Sequence, residues 1–522
     1  MTYDLVVRNG KVLDGEGNPW IRADIAIADG KIVKIGYVAD SGSREIDAAE
    51  DYVTPGWIDM MDQSGKILPM NGLAENKLRA GITTAIAGEG GAPKPSAELD
   101  EYFRTLEKQG ISLNFGTYYG AAQARVEVMG DVSDPCSSEQ MEAMKGHVAE
   151  AMRAGAMGIA TALIYPPDCF QTTEDLVQLC EVVARYKGVY ASHLRDESAN
   201  LLAAIGESIE IGRRSGVQIE IFHFKAAYAP EWGRLVPKAG TLIDAARADG
   251  VNIGANMYVY LAGGTGLDVT VPNWVFADGM KPGLERLKDP VVRRRLKDEV
   301  AAGSLPGWSN LVQASGGWDN VVLANACGGK YDSFRQKSLG EIGRQVGKDA
   351  ADVAWDIVLE ALPNRSTALF FMMSESDIET ALKFPWMSIG TDAHADFGGG
   401  KVHPYGLPHP RANGNHPRVI SEYVKARGIL TLEDAIRKMT SWPASRMHLH
   451  DRGAIREGLW ADLTIFNYER IADVASYANP TAYPQGIDYV IVNGHVVIDR
   501  GEHTGARPGR VLRGQGVSVD AE

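Results

Sequence analysis

The sequence predicts a (β/α)8 TIM barrel with a small β-sandwich domain built from both chain termini and an inserted helical arm; three observations carry the prediction. From about Pro55 to about Arg446, short apolar runs alternate with segments whose apolar residues recur every three or four positions. Two of those runs, ending in His193 and His223, flank one amphipathic segment, as parallel neighbours joined by a crossover helix do. Both chain ends instead carry alternating runs broken by NG and DG pairs, which is hairpin grammar.

Taken in order, residues 1–54 (DLVVRNGKVLDG, DIAIADGKIVKIG) form the first part of the β-sandwich, and 447–522 (ADLTIFN, YVIVNGHVVIDRG) the second. Between them, 55–446 holds the barrel. Strands are expected at Trp57–Met61, Thr83–Gly88, Asn114–Tyr119, Met157–Ile164, Val189–His193, Gln218–His223, Asn252–Tyr260 and Trp386–Asp392. Helices are expected at Ser138–Ala154, Thr173–Tyr186, Leu201–Arg214 and Leu242–Asp249, with the insertion at about 267–365.

Composition narrows the function classes. With 522 residues and 45% hydrophobic content, a large barrel and a companion domain both fit. A formal charge of −14 without a Lys/Arg cluster argues against nucleic acid. No apolar run reaches the roughly 18 residues of a membrane span, and the first residues do not read as a signal peptide. The four cysteines lack metal-type spacing and suit a reducing compartment, so a cytoplasmic protein is expected.

His193 and His223 each end a short apolar strand, where the carboxyl ends of barrel strands floor an active site. Imidazole is the commonest protein ligand for zinc, and Arg195, Glu197 and Lys225 follow close behind. The Gly-, Pro- and His-rich loop His394–His416 comes directly after the last strand and is expected to cover substrate.

With this layout, the chain resembles the amidohydrolase superfamily and, within it, the N-acyl-D-amino-acid deacylase (D-aminoacylase) family. The carriers are VTPGWID, LIYPPDCF, SHLRDES, FHFKAA, YVYLAGGTGL, IGTDAH and the tail LEDAIRKMTSWPASR with GLWADLTIFN. The resemblance implies a zinc hydrolase in which His193 and His223 bind metal and Asp392 is the general base. It also implies that Lys225, Tyr165 and Tyr258 line the substrate end of the pocket. Arg195 and Arg411 are further candidates to hold a substrate carboxylate, because a guanidinium fork fits one in two-point contact.

The chain departs from that family twice. Superfamily members carry HxH after the first strand, where this chain has Met61 and Gln63; Asp62 alternates to the opposite face unless the strand bulges. The deacylases' cysteine ligand on the second strand is also absent, and GEGG offers Glu89 instead. Glu89, His193 and His223 would make a three-ligand site for a single zinc ion per subunit. The expected activity is hydrolysis of the amide bond of an N-acyl amino acid or similar small amide. A cyclic amide or imide hydrolase and a degenerate non-catalytic binding protein are the alternatives. The expected partner is a small-molecule amide, with neither nucleic acid nor membrane, and a homo-oligomer is compatible with this reading.

Overall fold

A computed structural model of the chain describes residues 3–397 and 408–518. Among the described residues are eight parallel barrel strands: β1 (Trp57–Asp62), β2 (Ile82–Ala87), β3 (Asn114–Thr117), β4 (Gly158–Ala162), β5 (Val189–His193), β6 (Gln218–Ile221), β7 (Ile253–Met257) and β8 (Met387–Ile389). β1–β3 form one run, and β4–β8 form the other, into which Tyr119–Gly120 just after β3 is paired. The ring closes where Asp62 pairs in parallel with Ala393 and the Asp392 N–H donates to the Met61 carbonyl at 2.7 Å.

The helices that cover this ring include Ser138–Ala154, Thr173–Arg185, Leu201–Ser215 and Leu235–Ala248. Two of them start with reciprocal capping: Ser137 with Gln140, and Thr172 with Asp175. Their apolar faces, such as Leu176, Leu179 and Val183 or Ile205 and Ile209, are sealed against the strands. Each such side chain contributes about 1.5–3 kcal/mol by leaving water.

The chain ends meet as expected. Tyr52–Pro55 runs antiparallel to Leu463–Phe466, which joins the amino-terminal strands to the carboxyl-terminal ones in one nine-stranded sheet. Its core is Leu5, Val7, Ile25, Ile27, Val53 and Leu463 with their neighbours. The insertion between β7 and β8 contains helices such as Pro290–Ala302 and Ala350–Glu360. It also carries a three-stranded antiparallel sheet of Ala262–Gly266, Thr367–Phe371 and Val321–Asn325, which the helical expectation did not include. A glycine-rich strand such as AGGTG has no apolar alternation to announce it.

A second addition is the carboxyl-terminal tail, which crosses the barrel beside β3. The Phe115 N–H donates to the Arg510 carbonyl at 2.9 Å, and the Leu512 N–H to the Phe115 carbonyl at 2.7 Å. The tail therefore satisfies backbone groups of β3 that no barrel strand reaches.

Candidate metal centre

Three strands deliver the site. Glu89 follows β2 directly after Gly88, whose φ of +109° favours glycine and whose added Cβ would lie 2.7 Å from the Tyr118 carbonyl oxygen. His193 ends β5, and His223 stands two residues past β6 with φ +34°. Asp392, beyond β8, has φ +48°. Positive φ at two non-glycine residues, each just past the end of a strand at one mouth, is backbone strain of the sort found at functional sites.

The side chains converge. Glu89 Oε1 lies 2.8 Å from His193 Nδ1 and 2.9 Å from His223 Nε2. One ligating atom from each of the three residues falls within 4.8 Å of the others. Two imidazole nitrogens and a carboxylate oxygen suit zinc, with the fourth position left for water or substrate. Glu197 tethers the far side of the His223 ring, its Oε1 2.8 Å from Nδ1, while its Oε2 lies 3.5 Å from His193 Nε2, which has no hydrogen-bond partner among the described residues. A carboxylate behind a metal-binding imidazole holds the ring in place and raises its basicity, a role that Glu197 suits behind His223. The residues present therefore fit the metal.

Electrostatics follow from this packing. Burial pushes the Glu89 carboxyl up, but the hydrogen bonds to His193 and His223 outweigh it and hold it well below the usual carboxylate range. Burial likewise raises Glu197, and the Lys225 ammonium with the two imidazoles overrides it downward. Burial and Lys225 lower His223, yet Glu197 and Glu89 prevail and bring it to about 9. Asp392 moves the other way: burial raises its carboxyl, opposed by Arg411 and reinforced by Glu89.

Asp392 reaches the centre through two neighbours. Its Oδ2 is 2.7 Å from Arg411 Nη2, and its Oδ1 is 3.3 Å from Gln63 Nε2, which also donates to Glu89 Oε2 at 2.6 Å. Arg411 is only 4% exposed, and its Nε and Nη1 are buried without a partner among the described residues. Such donors, left over in a buried guanidinium, call for an anion. Glu89, Gln63, Asp392 and Arg411 all face a cavity of about 980 Å³, together with Tyr165 and Arg365.

Other expected residues lie elsewhere. Arg195 is not on the cavity: its fork takes Glu207 (Nε to Oε2 3.0 Å, Nη2 to Oε1 2.9 Å) and the Cys169 and Gln171 carbonyls at 3.0 and 2.9 Å. This corrects its expected role, since its donors are already used for joining loops. Lys225 also stands behind the wall, its ammonium 2.6 Å from Glu197 and 2.9 Å from His223 Nδ1, so it positions the imidazole rather than facing substrate. Tyr258 lies between two cations, 4.4 Å below Arg411 and 5.9 Å from Lys225. Tyr165 does face the cavity, edge-on to His193 at 5.4 Å and bonded to Thr265 at 2.6 Å.

Asp62 offers no ligand. β1 does shift register between Asp59 and Asp62, but the Asp62 carboxylate takes the buried Lys77 ammonium at 2.8 Å and the Ser64 hydroxyl at 2.8 Å. Met61 packs inside the barrel with Ile58, Ile86 and Phe222. Of the loop His394–His416, residues 398–407 lie outside the described residues, while Pro408, His409 and Arg411–Asn413 line the cavity. Sequence reasoning gave no role to Glu197, Gln63 or Arg365. Only the i, i+4 spacing of His193 and Glu197 hinted at the first.

Comparison with known proteins places the chain among the amidohydrolases. A family model described as "Amidohydrolase family" matches residues 377–498. The chain is 30% identical to a D-aminoacylase of Alcaligenes xylosoxydans xylosoxydans over 98% of this chain and 97% of that protein. An N-acyl-D-glutamate deacylase of the same organism is also 30% identical, over 98% and 96% of the two chains. Among solved structures, the N-acyl-D-glutamate deacylase of Bordetella bronchiseptica, complexed with zinc and a phosphonate mimic of the tetrahedral intermediate, superposes with a TM-score of 0.80. It is 27% identical and covers 98% of this chain and 100% of its own.

Proposed function

Because the chain belongs to the D-aminoacylase family of amidohydrolases, we propose that it is a zinc-dependent hydrolase of the amide bond of N-acyl-D-amino acids. The observation that carries this reading is the convergence of Glu89, His193 and His223 beside Asp392, at a cavity that also presents the underused Arg411 guanidinium. Residues 55–446 would be the catalytic unit, flanked by 1–54 and 447–522. We also infer a cytoplasmic setting, for which the scattered free cysteines speak, with a homo-oligomer compatible. No helix among the described residues is long and apolar enough to cross a membrane.

Glu89, His193 and His223 would hold the ion. When bound, zinc polarises the scissile carbonyl and lowers the pKa of water to about 7. Asp392 accepts the proton that the attacking water gives up as its oxygen bonds to the carbonyl carbon. It returns that proton to the nitrogen as the C–N bond breaks, leaving a carboxylic acid and a free amino acid. The Arg411 guanidinium would hold the α-carboxylate of the substrate through donors that Asp392 leaves free, which sets the amide against Asp392. Glu197 and Lys225 keep the His223 ring from turning.

Replacing Asp392 with Asn tests the reading. The turnover of N-acyl-D-amino acids is expected to fall by about 10²–10⁴-fold with zinc content unchanged. Full activity in that variant would remove the base from the scheme.

A further inference from the structure

We propose that Gln63 is a positioning residue that closes this centre to a second cation by spanning Glu89 and Asp392 with its side-chain amide, an inference that rests on the one-zinc reading above. Gln63 is anchored at its main chain. Its N–H donates to the Ala393 carbonyl at 3.1 Å, and its own carbonyl oxygen lies 2.6 Å from His394 Nδ1. Both contacts are with the segment just after β8, so the residue is pinned to the strand end that carries Asp392.

From that anchor the side chain reaches two carboxylates at once, with Nε2 2.6 Å from Glu89 Oε2 and 3.3 Å from Asp392 Oδ1. A carboxamide nitrogen bears two hydrogens, one for each acceptor, and no lone pair for a metal. The opposite orientation of the amide would set its oxygen against both carboxylates. The nitrogen is therefore fixed between them by its partners.

Two acidic groups that face one point repel each other unless a cation or shared hydrogen bonds intervene. Gln63 supplies the hydrogen bonds without charge. A dication joining Glu89 Oε2 to Asp392 Oδ1 would have to occupy the space of Nε2. The neighbouring β1 side chains give it little else: Met61 is 1% exposed and packed among apolar residues, and Asp62 is committed to Lys77. Glu89 is left with one oxygen for zinc and one for Gln63, and Asp392 is held where its proton transfer needs it.

Metal counting tests this. The full chain, stripped with a chelator, reloaded with excess zinc and desalted, is expected to retain one zinc per chain by elemental analysis. Gln63→Glu puts a third carboxylate at the same point and is expected to raise the count to two. Gln63→Leu removes both donors but still fills their space without offering a ligand, so its count is expected to remain one while turnover falls about tenfold; a count of one with unchanged turnover would overturn the positioning role. Two zinc ions in the wild-type chain, or one in a folded Gln63→Glu variant, would overturn the proposal. Should that variant not fold, anomalous scattering from zinc-soaked wild-type crystals decides: a peak between Glu89 and Asp392 overturns it, and a single peak between Glu89 and the two imidazoles supports it. The count does not depend on turnover. A one-zinc protein that cleaves no N-acyl amino acid would therefore end the substrate reading and leave the role of Gln63 standing.

Discussion

The Glu197 carboxylate lies 2.8 Å from His223 Nδ1, on the face of the ring away from Glu89, and the Lys225 ammonium stands 2.6 Å from the same carboxylate oxygen. A carboxylate in that position makes the Glu89-facing nitrogen a better donor and stops the ring from turning.

The first prediction follows from that contact. Glu197→Gln keeps the shape but removes the charge, so zinc affinity is expected to weaken about 10–100-fold. Competition against a chromophoric chelator measures it. At saturating zinc the turnover should recover most of its value, because Glu197 touches neither substrate nor Asp392. Unchanged affinity would reduce Glu197 to a counter-ion for Lys225.

The second prediction concerns Arg411. Its guanidinium is buried against Asp392 and Tyr258 with two donors unpartnered among the described residues, so Arg411→Met is expected to raise KM about 10–100-fold, the worth of a lost charge-assisted pair. Burial already raises the Asp392 carboxyl, and Arg411 is the main influence holding it down. Without it, Asp392 keeps its proton to higher pH. Since the base must be ionised, the acid limb of kcat/KM should move upward in pH in this variant, as a pH–rate profile would record.

The third prediction separates two arginines that read alike in sequence. Arg195 braces Glu207 and two loop carbonyls, so Arg195→Met should cost about 2 kcal/mol, seen as a lower Tm, while kcat/KM stays within about twofold. A large rise in KM with an unchanged Tm would return Arg195 to the substrate.

These two arginines also mark what a sequence can carry. His193, His223 and Asp392 were legible because each ends an apolar run, and a parallel barrel brings all such ends to one mouth. Arg195 was not, since an arginine two residues past a strand looks the same whether its fork meets solvent, substrate or Glu207. The tether from Glu197 to His223 exists only once β6 lies beside β5, although the residue stands four places after His193. Gln63 looked like the loss of a ligand. Its bridging role depends on Asp392, which arrives from the far end of the barrel. The pairing of Phe115 with Val511 is similarly beyond any local pattern.

The last prediction concerns stability and lies away from the chemistry. His416 is fully buried, stacked 6.1 Å from the Trp57 ring at 11°, with Nε2 3.5 Å from the Ile58 carbonyl oxygen and Nδ1 without a partner among the described residues. Burial holds its pKa down at about 3 from an ordinary 6.5, so the folded chain keeps the ring neutral. An unfolded chain binds a proton there below pH 6.5, whereas the folded chain does not until near 3. The stabilisation is thus fully present above pH 6.5 and is lost as pH falls from 6.5 towards 3, with an upper bound of about 5 kcal/mol. His416→Phe retains the ring on Trp57 and removes the titration. Its Tm should therefore fall less than that of the wild type between pH 7 and pH 5; equal slopes for the two proteins would show that acid unfolding begins at another group.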